Sequence, residues 1–391
     1  MGRLSLVLTV AAVLFLVAPG KADSNVSPRR LPSPAVFLAP GGSDASRCSR
    51  TAPCRSFNRA YRVARPGQIV QVAGGSYGAQ TIAADASKRS RADVVFRPAP
   101  GASVNVDSLD VHAAHLEVRG MHFSPHWRTW REASDVTFRN VRAARFAIMG
   151  SSSVRVIGGS YGPTNNAYSS IQSEGANDTK VARNILLDRV RIHDYRQTDG
   201  SSHVDCLHVF GANGLTVRRS RFSNCEFFAI LFTRIPGSPV PTPTNVTIEN
   251  NFLDCCGQGY FSIYLGDQHG ERWANFLVRN NSTNKAIGIG PDNRTVAALR
   301  FFGNIGPSFQ GCGRAGVRVN YNVWYQGSRC GANDRRAPSG FVDPQAQNFH
   351  LRAGAAAIGR GNPSSFPARD IDGQRRPFGR APDAGADEWR R

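Results

Sequence analysis

The chain has 391 residues, 48 Lys plus Arg against 28 Asp plus Glu, a formal net charge of +20 and 41% hydrophobic residues. This composition excludes a disordered tail, a disulfide-stapled miniprotein and a multispan membrane protein. Only Lys21, Lys88, Lys180 and Lys285 are lysines, so the charge is carried by guanidinium groups. These suit bidentate contacts to carboxylates, sulfates or phosphates, although a GC-rich coding bias also raises arginine.

Arg3, the apolar stretch Leu4 to Val17 and the small-residue site Gly20-Lys21-Ala22 read as a signal peptide over residues 1–22, cleaved near Ala22. The stretch is shorter than the ~20 residues of a spanning helix, so no membrane span is expected. The mature chain is expected to be secreted or periplasmic and bacterial, with a flexible linker at 23–35 and one domain at 36–391. All eight cysteines follow the leader, where disulfides persist. Cys48 with Cys54 and Cys312 with Cys330 are local candidates. Cys225 and Cys256, each 10 residues after a strand residue (Leu215, Val246), are expected side by side on adjacent coils. Cys206 has no evident partner beyond Cys255.

Ser56 to Ala64 carries the one helical pattern, with Phe57, Ala60, Tyr61 and Ala64 on one face after a serine N-cap. From there a phrase recurs: a small or polar residue, alternating β-branched residues, then Arg or Asn. It begins at Asp93, His115, Asp135, Ser153, Asn184, Gly214, Asn245, Asn275 and Ala298, at intervals of 18 to 31 residues. Alternation of period two marks strands, and the repeat marks a solenoid of about ten coils. A second set of strand phrases places Ile148, Ile171, Leu207, Ile230, Ile263 and Ile287 in one inward ladder. Asn140, Asn224, Asn250, Asn251, Asn280 and Asn281 are expected in left-handed turns.

These phrases and the two ends resemble the secreted right-handed parallel β-helix proteins of the pectate-lyase-like superfamily. At the start the resemblance lies in Val36-Phe-Leu-Ala-Pro-Gly-Gly-Ser-Asp44, Pro53-Cys-Arg-Ser-Phe57 and Gly74-Gly-Ser-Tyr77. At the end it lies in Asn348-Phe-His-Leu351, Asp370-Ile-Asp-Gly-Gln374 and Asp383-Ala-Gly-Ala-Asp-Glu388. The fold class expected is all-β, a single-stranded right-handed parallel β-helix with an N-terminal capping helix. That fold carries many activities, so function must be argued from a site.

Three of the nine histidines fall in His193-Asp-Tyr-Arg196 and His203-Val-Asp-Cys-Leu-His-Val209. With Leu207 inward, strict alternation turns Cys206 and His208 outward and His203 and Asp205 inward. A buried unpaired Asp205 would be costly, so it belongs at the strand's leading edge with a partner, as a coil cap or as part of an acid/base cluster. The candidate catalytic residues are His203, Asp205, His208 and Tyr264. The candidate substrate-binding residues are Arg234, Gln172, Tyr195, Asp267 and Arg272. Tyr168 and five other aromatic residues are candidates for stacking on sugar rings.

The chemistry these suit is β-elimination at a uronic acid of an acidic polysaccharide: a cation neutralises the carboxylate, a base removes the α proton, and an acid protonates the leaving oxygen. Alternatives are a non-catalytic binder of anionic glycan or cell-wall polymer, and a glycoside hydrolase using two carboxylates. No cofactor is required. Calcium has thin support from Asp194, Asp199 and Asp205. A monomer is expected, and nucleic acid is not an expected partner, because no binding motif accompanies the charge.

Overall fold

The computed structural model describes residues 33–235, 237–255, 257–266, 270–291 and 295–390. The predicted leader, and with it Asp267 and Cys256, lies outside the described residues. Residues 34–391 form one compact unit.

One sheet takes twelve strands in strict chain order, from Val36–Leu38 through Ser134–Arg139 and Ala212–Arg218 to Val317–Asn320. Its pairings are parallel throughout. Sheet neighbours are therefore one coil apart, and the chain advances by one strand spacing, ~4.8 Å, per turn. After each first-sheet strand the chain crosses a second face (Arg191–Arg196, Arg221–Cys225, Phe252–Cys255) and a third (Ser169–Gln172, Leu207–Val209, Ile230–Phe232, Phe261–Leu265, Ala286–Ile289). In earlier coils one bent strand serves both faces: Arg142–Met149 pairs with Ser160–Tyr161 near its start and with Ser169–Gln172 near its end. The protein is thus a right-handed parallel β-helix, the hand that strand crossovers adopt. Helix Phe57–Val63 closes its first end. Ser56 caps it by accepting from the Arg59 amide at 3.1 Å, and Phe57, Ala60 and Tyr61 are buried.

The polar residue that opens each sequence phrase has a structural meaning. His115, Asp135, Ser153, Asn184, Asn245, Asn275 and Ala298 have φ between 51° and 57°, and Gly214 has φ 86°. Each is a left-handed bulge that the ladder skips, pairing Ala114 with Ser134 and Leu116 with Val136. Asn, Asp and Gly enter this region at least cost, which explains their recurrence. A second left-handed position ends the strand at Asn140, Asn250 and Asn280, as expected, and Asn224 is also left-handed. Asn251 and Asn281 depart from the expectation. They lie one residue past the turn, fully buried, in a ladder whose side-chain oxygens accept from the next amide up. Ser220 N donates to Asn251 (2.9 Å), Asn251 N to Asn281 (3.1 Å), Asn281 N to Asn304 (3.1 Å), Asn304 N to Asn322 (2.8 Å) and Asn322 N to Asp334 (2.9 Å).

Inward residues stack coil on coil, with a correction to the predicted ladder. Ile148 and Ile171 align with Val209, Phe232, Leu265 and Ile289, whereas Leu207, Ile230, Ile263, Ile287 and Phe309 form a separate column. Choosing Leu207 after Ile171 slips the register by two residues, which alternation alone cannot detect. Cys48–Cys54 and Cys312–Cys330 are bridged as expected. Cys225 is bridged to Cys206, not to Cys256. Cys255 is also in a disulfide.

Two faces are already occupied. Along the first sheet, arginines within or just after the repeat phrases pair with acids on neighbouring coils: Arg139 with Glu117, Arg155 with Asp135, Arg219 with Asp188 and Arg279 with Glu249. Part of the arginine content is therefore spent between coils. Over the second face, Phe252, Ile305 and Val323 are covered by Phe341, Phe349, Leu351 and Ala384 of the closing segment. The outer surface of the third face remains for function.

Candidate functional site

Leu207 and Val209 point inward, and His208 lies outward in register with Ser170 on one side and Leu231 on the other. Alternation fails just before them. Cys206, predicted outward, turns into the core to reach Cys225, which aligns with buried Tyr195 and Cys255 on the second face. With Cys206 and Leu207 both inward, Asp205 is brought beside His208 instead of into the core.

Asp205 is fully buried, and its Oδ2 lies 3.0 Å from His203 Nδ1 and 3.0 Å from His208 Nδ1. The His203 contact is a hydrogen bond. The His208 contact is as short but poorly aligned, hence chiefly electrostatic. His208 Nε2 is 2.8 Å from Thr233 Oγ1. His203 therefore carries its proton on Nδ1 and presents Nε2, and its side chain is 48% exposed. The hydrogen bond to Asp205 raises the His203 pKa against the opposing effect of burial. Burial would raise the Asp205 carboxyl, but the His203 hydrogen bond, the close His208 imidazole and the charge of both outweigh it and hold it below the usual carboxylate range.

Rings fix both imidazoles. His203 stacks on Phe227 at 4.7 Å and His208 on Phe210 at 3.7 Å between centroids. Tyr168 tilts against His208 at 5.3 Å. Its phenol is pushed up by burial and by the Asp205 charge, while Arg145 lowers it. An aromatic strip continues from His203 to Phe228, Tyr264 and Phe261, with centroid steps of 5.8, 5.6 and 4.7 Å.

The other expected residues divide. Tyr264 shares the outward column of His208 but stands two coils away, ~10 Å, with Leu231 between. Gln172 is on the third face, paired with Met149. Arg234 donates to the Ser238 carbonyl at 2.7 Å. Arg272 opens a first-sheet strand, so it belongs to another face. Tyr195 is a correction: it is fully buried, its hydroxyl 2.7 Å from Ser169 Oγ and donating to the Ala144 carbonyl at 2.9 Å, so it touches no substrate. Phe210, Phe227, Phe228 and Thr233 were missed. The signal available was the pair Phe227-Phe228 directly ahead of a strand phrase.

Among the described residues three clusters bring metal-ligating atoms within 4.8 Å of one another: His203, Asp205 and His208; Asp93, His115 and Asp135; His350, Asp372 and Asp387. The first matches the imidazole and carboxylate preference of a first-row transition ion. It does not suit calcium, which takes six to eight oxygens. Asp194 is tied to Asn224 and His193, and Asp199 to Ser201 and Ser202 on an exposed turn, so neither joins Asp205.

Gly259 holds the site from behind. A Cβ there would lie 1.7 Å from the Phe227 carbonyl oxygen. Gly259→Ala is expected to push Phe227 off the His203 ring, shifting the His203 titration followed by NMR while the far-ultraviolet β signal stays unchanged. An unchanged titration would refute this support.

No family model matches the chain, and no curated protein is detectably similar in sequence. Among solved structures, pectate lyase Pel9A shares 16% identity over 92% of this chain and 97% of its own, with a TM-score of 0.46. A rhamnogalacturonan lyase shares 12% over 89% and 96%, with a TM-score of 0.44. An alginate lyase from Paenibacillus sp. strain FPU-7 shares 12% over 73% and 98%, also with a TM-score of 0.44. These superpositions are loose, and the fold described above rests on the strand pairing itself.

Proposed function

We propose that the protein is an exported polysaccharide lyase that cleaves an acidic polysaccharide by β-elimination at a uronic acid, along the outer surface of the third face. The observation that carries this reading is the His203 imidazole, presented to solvent through Nε2 and anchored at Nδ1 by fully buried Asp205. His203 Nε2 takes the proton from C5 of the uronate. The C4–O bond breaks as the C4–C5 double bond forms, and the leaving oxygen takes a proton from Tyr168, whose raised pKa keeps the phenol protonated. Asp205 orients His203 and stabilises its charged form. Tyr264, ~10 Å along the sheet, serves as a stacking surface in this reading. The disulfides accord with export.

Incubation with alginate, polygalacturonate, chondroitin and heparin is expected to yield the ultraviolet absorbance of an unsaturated uronate on at least one of them. Silence on all four would remove the lyase reading. Non-catalytic glycan binding is favoured by one observation. The aromatic strip leads to Tyr260, 80% exposed, on a groove of about 590 Å³ lined also by Phe261, Lys285 and Gln310. Retention on a polysaccharide without product would select it.

A further inference from the structure

Two outward columns run along the third face of the helix. One is Asp110, Arg128, Ala147, Ser170 and His208; the other, two residues earlier on each strand, begins Ser108, His126 and Arg145. Tyr168 stands two residues before Ser170 and so extends the second column. Arg128 is neutralised by Asp110 through two hydrogen bonds of 2.8 and 2.9 Å, and its guanidinium lies over Trp130. Arg145 differs: no described carboxylate pairs with it. Beneath it in register is His126, whose two ring nitrogens are shielded from solvent and have no hydrogen-bond partner. Buried polar groups are normally paired, so an orphaned imidazole beside an unpaired guanidinium calls for a further group.

We infer that Arg145, backed by His126, forms a subsite for an oxyanion borne on a sugar, a carboxylate or sulfate, on the N-terminal side of His203. The inference rests on the reading that a polymer lies along the third face. Electrostatics agrees with it: burial lowers the pKa of His126, and the charges of Arg145 and Arg128 lower it further. An arriving anion relieves that repulsion. Tyr168, one coil on from Arg145, tilts against His208 at 5.3 Å and so links the anion subsite to the His203 dyad. Ala147 and Ser170, both small and buried, span the ~10 Å from the Ala147 coil to the His208 coil. The planar fork of Arg145 suits a two-oxygen group, and a charge-assisted pair of this kind carries about a tenfold to hundredfold in affinity.

The test is binding rather than turnover, by calorimetry with an oligogalacturonate, a heparin oligosaccharide and neutral dextran. The proteins are the full chain and its Arg145→Met and Arg318→Met variants. Arg318 is an exposed arginine on the first sheet, and serves as control for overall charge. Arg145→Met is expected to weaken anionic binding about tenfold or more, while Arg318→Met stays near the parent. Loss confined to the oligogalacturonate assigns a carboxylate, loss confined to heparin a sulfate. Unchanged binding by Arg145→Met, an equal loss in Arg318→Met, or no binding of either anion by the parent would overturn the subsite. Arg145-dependent binding without unsaturated product would sink the lyase reading and leave the subsite standing.

Discussion

His203→Ala is expected to lower product formation by about 10²- to 10⁴-fold, the range supplied by a positioned general base, with the fold retained because the ring is half exposed. Asp205→Asn keeps the shape but removes the charge that raises the His203 pKa. A base must be unprotonated, so the parent's acid limb should lie above the ordinary histidine value of 6.5, and in Asp205→Asn it should move to lower pH. The stability signs follow from the same shifts. The raised His203 pKa stabilises the fold fully below 6.5, and this is lost as pH rises through the folded value. The lowered Asp205 pKa stabilises it above 3.8, and this is lost as pH falls through the folded value. The pair therefore contributes most between about pH 4 and 6.5. An acid limb that does not move in Asp205→Asn would show that the dyad does not set the rate, and global unfolding of both variants would mark His203 and Asp205 as a coil cap.

The largest effect on stability is expected at Arg376. Its guanidinium is buried in the closing segment, donates to the carbonyls of Asp383 and Gly385 at 2.9 Å each, and lies 3.3 Å from Glu388. Glu388 in turn accepts from the amides of Phe378 and Asp383, and burial pushes Asp383 up to about 6. Arg376→Met leaves these carboxylates buried without their cation, at about 3–5 kcal/mol. Urea unfolding should show the loss, together with early exposure of Trp389, whose amide bonds to Asp383. A midpoint within experimental error of the parent would contradict this.

The fold was legible because a solenoid repeats its local rules. From His115 to Ala298 the residue opening each phrase is the left-handed bulge, and Phe57, Ala60 and Tyr61 mark the cap. The asparagine ladder was half legible: Asn250 and Asn280 are turn residues, while Asn251 and Asn281 beside them bond to the coil above, a pairing that no single coil reveals. The site was less legible for the same reason. Intervals of 18 to 31 residues hide which outward residues align, so Arg145 and His126 carried no signal, and a two-residue slip misplaced Ile171 against Leu207. At Cys206 a disulfide overrode alternation and delivered Asp205 to His208. Tyr195 looked like a surface aromatic because left-handed Asp194 (φ 59°) breaks the alternation directly before it.

The paired left-handed positions of each coil have a consequence for how such a chain can change. A coil is specified by a bulge residue, a turn residue, a ladder position and a few inward apolar side chains, most of them on the first and second faces. The outward positions of the third face contribute to none of these. New binding chemistry can be written there one column at a time, with the corners of the coil acting as a frame that does not register the edit.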